Sequence, residues 1–239
     1  MSSTDKNRKS YNIGDFEKGL MLAGYITPST VNELEEIEVL TKYEKELSKE
    51  KGRIYFKRTV LAAEIVNQLH QEYTFGRVKF QKLVYLCEHA GKMNLQERYA
   101  KFAAGPFDSK FMHSINKEFK KQKWFDVKMV KSGPYTKPEY SQSVNVEKYK
   151  DYYNNYFGVY DQSIQDLISL FRKTKTREVE LVATIFYCWL ELIQNHQLFN
   201  NESLFSSFYS WADEKKKFTQ DEILFSLDWM KENGVTPTI

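Results

Sequence analysis

Only two cysteines occur in 239 residues, Cys87 and Cys188, so there is no disulfide framework. Both fall in apolar helical runs, where a free thiol behaves as a small core hydrophobe. Glycine is scarce, at 10 residues, and none stand at the spacing of a phosphate-cradling loop before a helix; ATP or NAD binding is not expected. No segment is continuously apolar for long enough to span a bilayer, and residues 1–11 lack the apolar stretch of a signal peptide, so the chain reads as cytoplasmic. An excess of one charge is lacking too. The 35 basic and 32 acidic residues leave +3, which gives no global attraction to nucleic acid or anionic lipid and requires any basic patch to be local.

Histidines number four, and His70, His89, His113 and His196 lie in separate segments without a second Cys or His at metal-ligand spacing. Cys87, Glu88 and His89 are immediate neighbours on an expected helix, so they point in different directions and cannot converge on a metal. Neighbouring carboxylates such as Glu35 with Glu36, or Asp221 with Glu222, sit where exposed helix charges or first-turn dipole partners belong. These patterns predict no metal, no cofactor and no catalytic centre. A nuclease whose residues converge only in the fold is the remaining enzymatic reading.

What the chain does have is aromatic mass, with 16 Tyr and 17 Phe, and helical periodicity. Residues 1–26 read as a flexible leader. Residues 27–56 read as a helical arm, entered through the cap and first-turn pair Thr27 and Pro28, with Val31, Leu34, Ile37, Leu40, Tyr43 and Leu47 as a narrow apolar stripe suited to another helix. Residues 57–239 read as a compact helical domain. Its first helix, from Lys57 to Gln71, carries Leu61, Ile65 and Leu69. A second, from Val78 to Ala90, gathers Phe80, Leu83, Val84 and Cys87 on one side and Gln81, Lys82, Tyr85, Glu88 and His89 on the other. A third, from Asp108 to Lys121, should bury Met112, Ile115 and Phe119. Partial alternation in Trp124 to Lys131 and in Tyr140 to Val146, separated by Ser132, Gly133, Pro134 and Pro138, predicts a β-hairpin near 124–146. Helix followed by hairpin resembles a winged-helix ending. Helices carrying Ile164, Leu167, Ile168 and Phe171, then Val182, Ile185, Phe186, Trp189, Leu190 and Ile193, follow, the latter central. Thr219 and Glu222 form a capping box for the last. The expected class is mainly α with a small β wing.

Basic residues cluster in one region: Arg77, Lys79, Lys82, Lys110, Lys117, Lys120, Lys121 and Lys123, near Trp124 and Tyr135. They are the candidate phosphate-contacting surface, although the balanced charge and scarce arginine argue against base readout.

The run Phe75-Gly76-Arg77-Val78-Lys79-Phe80-Gln81-Lys82-Leu83-Val84-Tyr85-Leu86, with Ala103-Ala104-Gly105-Pro106-Phe107-Asp108, resembles the Panacea-type domain of promiscuous antitoxins and proteolysis adaptors. Lys120-Lys121-Gln122-Lys123-Trp124-Phe125 is more similar to the variant at the C-terminal end of type I restriction-modification specificity subunits. Leu40-Thr41-Lys42-Tyr43-Glu44-Lys45-Glu46-Leu47 running into Tyr55-Phe56-Lys57-Arg58 resembles the helical spacer that precedes it there. The two long target-recognition domains of such a subunit are missing. The resemblance implies a non-enzymatic accessory module of a DNA restriction or phage-defence system that holds protein partners, with DNA engaged indirectly. Its alternative is an antitoxin or proteolysis adaptor that binds a cognate toxin. The residues carried over as a partner-binding set are Gln81, Lys82, Tyr85, Gly105, Pro106 and Asp108; in their alternative, structural role Lys82 pairs with Asp108 and Tyr85 caps the loop. Leu34, Ile37, Leu40, Tyr43 and Leu47 form the second partner-binding set.

Overall fold

The computed structural model describes residues 28–132 and 135–237, with side chains from Val39 onward except Ser132 and Tyr135. The expected leader and the cap Thr27 lie outside the described residues, as do the side chains of Leu34 and Ile37. The chain divides into two units, Met1–Ile54 and Tyr55–Ile239.

Helix α1 (Pro28–Leu69) contributes to both units. The arm and the helix expected from Lys57 are one continuous helix, with the backbone helical through Gly52. One interior glycine costs only about 1 kcal/mol relative to alanine, too little to break a helix flanked by the good helix formers Lys51 and Arg53. In the first unit the described side chains from Val39 to Arg53 are all exposed.

The second unit is built on α6 (Thr176–Gln194), in which every side chain from Val179 to Cys188 is buried. It packs against α2 (Arg77–Ala90), α7 (Asn201–Tyr209), α8 (Gln220–Glu232) and strand β2 (Gly105–Phe107). As expected, it is central. Within α1, Leu61, Ile65 and Leu69 are fully buried. Helix α3 (Ser109–Gln122) starts where the Asp108 side chain accepts a hydrogen bond from the Phe111 N–H, and it ends at Lys123 in the left-handed conformation. Its buried row is Phe111, Ile115 and Phe119, four residues apart; Met112, expected in that row, is only half-buried because its position is rotated towards the flank.

Strands β3 (Phe125–Ser132) and β4 (Tyr135–Gln142) pair antiparallel from Phe125 opposite Gln142 to Ser132 opposite Tyr135. The expected hairpin is there, but its second strand is Tyr135–Gln142 and not Tyr140–Val146, with Pro138 inside it, as an edge strand allows. The buried cross-strand pair Val127 and Tyr140 ties it to the core. A second small hairpin, β1 (Ala100–Phe102) with β2, precedes α3. Helices α4 (Lys148–Phe157) and α5 (Asp161–Phe171) complete the unit. The Thr219–Glu222 capping box opens α8 through reciprocal bonds, as read from the sequence. The protein is mainly α with two small antiparallel hairpins. Among the described residues, no helix is long and apolar enough to cross a membrane.

Candidate functional site

The motif residues of α2 and the β1–β2 hairpin come together, but in the interior. Phe80, Leu83 and Val84 face one way, yet Gln81, Lys82, Tyr85 and Glu88 are buried as well, because other elements cover the polar side of α2. The Lys82 ammonium donates to the Pro106 carbonyl at 2.7 Å. Gly105 has φ +96°, and a Cβ there would lie 2.8 Å from Thr184 Oγ1 and 3.4 Å from Lys82 Cε. The glycine thus lets the loop backbone reach Lys82 and α6. The expected Lys82–Asp108 pair does not form, since the lysine is held by the loop carbonyl. Tyr85 does not cap the loop either; its hydroxyl donates to Gln96 Oε1 at 3.0 Å.

Asp108 turns instead to an arginine in α1. Arg58 Nη1 donates to Asp108 Oδ2 at 2.6 Å, and Arg58 Nε donates to Glu88 Oε1 at 2.6 Å. The Tyr99 hydroxyl donates to Glu88 Oε2 at 2.6 Å, and half-exposed Arg98 reaches Asp108 Oδ2 at 3.3 Å. The Arg58 guanidinium also lies 4.1 Å from the Phe111 ring centre. Arg58 and Glu88 are both only 1% exposed. Burial alone would lower the Arg58 pKa, but the charge of Glu88 together with the hydrogen bonds to Glu88 and Asp108 outweighs it and raises the value. Burial pushes the Glu88 carboxyl above its ordinary range, opposed by Arg58 and Tyr99. For Asp108, burial acts upwards, and the hydrogen bonds from Arg58 and the Phe111 N–H overcome it to hold the carboxyl low.

A second buried set adjoins the loop. The Lys215 ammonium donates to Glu180 Oε1 at 2.9 Å and Thr184 Oγ1 at 3.0 Å, while Lys217 reaches Glu180 Oε2 at 3.1 Å. Burial, with Lys215 adding its charge, lowers the Lys82 pKa to about 7. Away from the loop, Glu64 accepts from the Tyr149 hydroxyl at 2.7 Å and from Lys150 at 2.6 Å. Burial raises both thiols, Cys188 to about 11, and lowers His89 to about 4. Among the described residues no group of three His, Cys, Asp or Glu is placed to hold a metal ion. The interior carboxylates and cations hold one another, and this joins α1, α2, β2 and α6 into a scaffold.

Arg58, Glu88, Tyr99, Glu180 and Lys215 were not among the candidates read from the sequence. Arg58 and Glu88 stood within quoted segments, but nothing in their spacing signals a contact thirty residues apart.

At the surface, the proposed phosphate set divides. Lys79 is fully buried, and its ammonium donates to Thr74 Oγ1 at 2.7 Å and to the Arg172 and Thr174 carbonyls at 2.9 Å. It is not presented to a ligand. Arg77 is exposed at the start of α2, and Lys110, Lys117, Lys121 and Lys123 are exposed on and just after α3. In the first unit, Leu40 is 61% exposed, Tyr43 63% and Leu47 39%. At 100° per residue these three positions fall within about 60° of one another. A separate cavity of about 520 Å³, lined by His89, Lys92, Ser163, Asp166, Phe186 and Asn233 among others, contains none of the motif residues except His89's helix neighbour Leu86.

No protein-family model matches the chain, and the search of curated proteins returns no match. The resemblance therefore stands on the quoted motifs.

Proposed function

We propose that the chain is a non-enzymatic, partner-binding accessory module of a type I restriction-modification system, similar to the C-terminal part of a specificity subunit. The observation that carries this reading is the exposed apolar row Leu40, Tyr43 and Leu47 on a helix. Large apolar side chains aligned on one helical face are the usual anchors for a second helix. Gln81, Lys82, Tyr85, Gly105, Pro106 and Asp108, expected from the resemblance to bind a partner, are buried and so are not themselves the contact surface. In this reading the motif supplies a rigid body, and partner contact belongs to the arm and to the surfaces that body presents.

The test is a pull-down of the full chain with methyltransferase and specificity subunits. Alanine at Leu40, Tyr43 and Leu47 together is expected to weaken the complex by at least about tenfold, about 1.4 kcal/mol or more for truncating helix anchors. Unchanged capture by the triple variant removes the arm's role. Rescue of growth on co-expression with a neighbouring toxin would favour the antitoxin reading instead.

A further inference from the structure

Helix α3 carries a feature that its own stability does not account for. Its outward positions, Lys110, His113, Lys117, Lys120 and Lys121, are all exposed, opposite the buried row of Phe111, Ile115 and Phe119. At 100° per residue they occupy a single arc of about 100°. Among the described residues, the ammonium groups of Lys110, Lys117 and Lys120 have no ion-pair partner, and Lys121 has only the half-buried neighbour Glu118 at 3.4 Å.

This placement works against the helix. Lys110 stands in the first turn, where the positive end of the helix dipole disfavours a cation. Lys117 and Lys121, four apart, repel each other, as do Lys117 and Lys120. Lys120 and Lys121 in the last turn suit the negative helix end, but that leaves Lys110 and Lys117 unexplained. On the adjacent hairpin Lys128 stands directly across from Glu139, whereas Lys131 and Lys137 stand across from Thr136 and Val130. On α3 the lysine row is continued by exposed Lys123, which follows the helix in a left-handed C-cap.

We propose that the outer face of α3 binds the sugar-phosphate backbone of duplex DNA without reading its sequence. From Lys110 to Lys121 the helix rises roughly 16 Å. A duplex of that length carries about ten phosphates. Four lysines along the row can neutralise about four of these phosphates, and the contact relieves their mutual repulsion. Lysine is a flexible point charge and not a planar fork, which suits phosphate contact more than bidentate recognition of a base edge. This inference does not depend on the protein-binding role of the arm.

The experiment measures fluorescence anisotropy of a labelled duplex of arbitrary sequence, about two helical turns long, against the full chain. Binding is expected in the micromolar range at low salt, and a fourfold rise in salt should weaken it about 10²-fold for four neutralised phosphates. The variant Lys110→Glu/Lys117→Glu/Lys121→Glu should lose at least about thirtyfold in affinity. Lys148→Glu/Lys173→Glu/Lys231→Glu makes the same change of charge at exposed positions elsewhere and should lose less than about threefold. Thermal melts of both variants check that they fold. Equal losses in the two variants, or an affinity indifferent to salt, overturns the proposal. So does binding to phosphatidylserine vesicles without binding to duplex.

Discussion

Replacing Arg58 with leucine tests whether the interior ion pairs hold the second unit together. The side chain is 1% exposed and donates to Glu88, Asp108 and Tyr99. Leucine fills part of the volume but leaves Glu88, itself 1% exposed, with the Tyr99 hydroxyl as its remaining donor. An uncompensated buried carboxylate of this kind costs about 3–5 kcal/mol. For a unit of this size that corresponds to a fall in Tm of roughly 10 °C. The loss depends on pH. Burial already pushes Glu88 above its ordinary 4.5, and without Arg58 it rises further. Over the window from 4.5 upwards, the folded variant holds a proton that the unfolded chain has released, so its stability falls as pH rises. The variant should accordingly be closer to the parent at about pH 5 than at about pH 8. Adding Glu88→Leu removes the stranded charge and should recover at least about 1 kcal/mol of the loss at neutral pH. Thermal unfolding followed by far-UV circular dichroism measures all three proteins. A loss under about 1 kcal/mol, the same loss at both pH values, or a double variant less stable than the single would refute the reasoning.

Two further perturbations act on the loop that Arg58 faces. Lys82 has a pKa of about 7 in the folded protein against an ordinary 10.5, so between those values the unfolded state binds more protons and stability rises with pH. Lys82→Met should flatten that rise, by about 1 kcal/mol per pH unit at most, in urea titrations between about pH 7 and pH 9; an unchanged slope would mean that another group produces it. Gly105→Ala combines φ +96° with a Cβ 2.8 Å from Thr184 Oγ1 and should cost about 1–3 kcal/mol or more, read as a lower urea midpoint. A midpoint equal to the parent's would show that the loop relaxes freely.

Much of this architecture was legible because it depends on local signals. The Thr219–Glu222 box, the Asp108 start of α3, the alternation that makes β3 and β4, and the apolar run of α6 each act within one or two turns of chain. The β1–β2 hairpin escaped notice because its strands are three residues long, too short for alternation to register. Helical periodicity separates apolar from polar positions, and on α2 it placed Lys82, Tyr85 and Glu88 opposite Phe80 and Leu83. It does not say that a second layer covers the polar side. That depends on where Arg58, Tyr99 and Gln96 arrive in three dimensions, through contacts separated by up to 50 residues. Lys79 shows the same limit. Its neighbours in sequence suggest a basic surface, and its actual partners are carbonyls almost a hundred positions away.

Lys79 also makes the protein a poor target for its own chemistry. With its nitrogen enclosed and directed at the carbonyls that end α5, acylating reagents applied to the native protein would leave it unmodified while marking the lysines along α3. Unfolding would expose it to the same reagent, so one side chain would serve as a built-in reporter of whether the α5–α6 connection is closed.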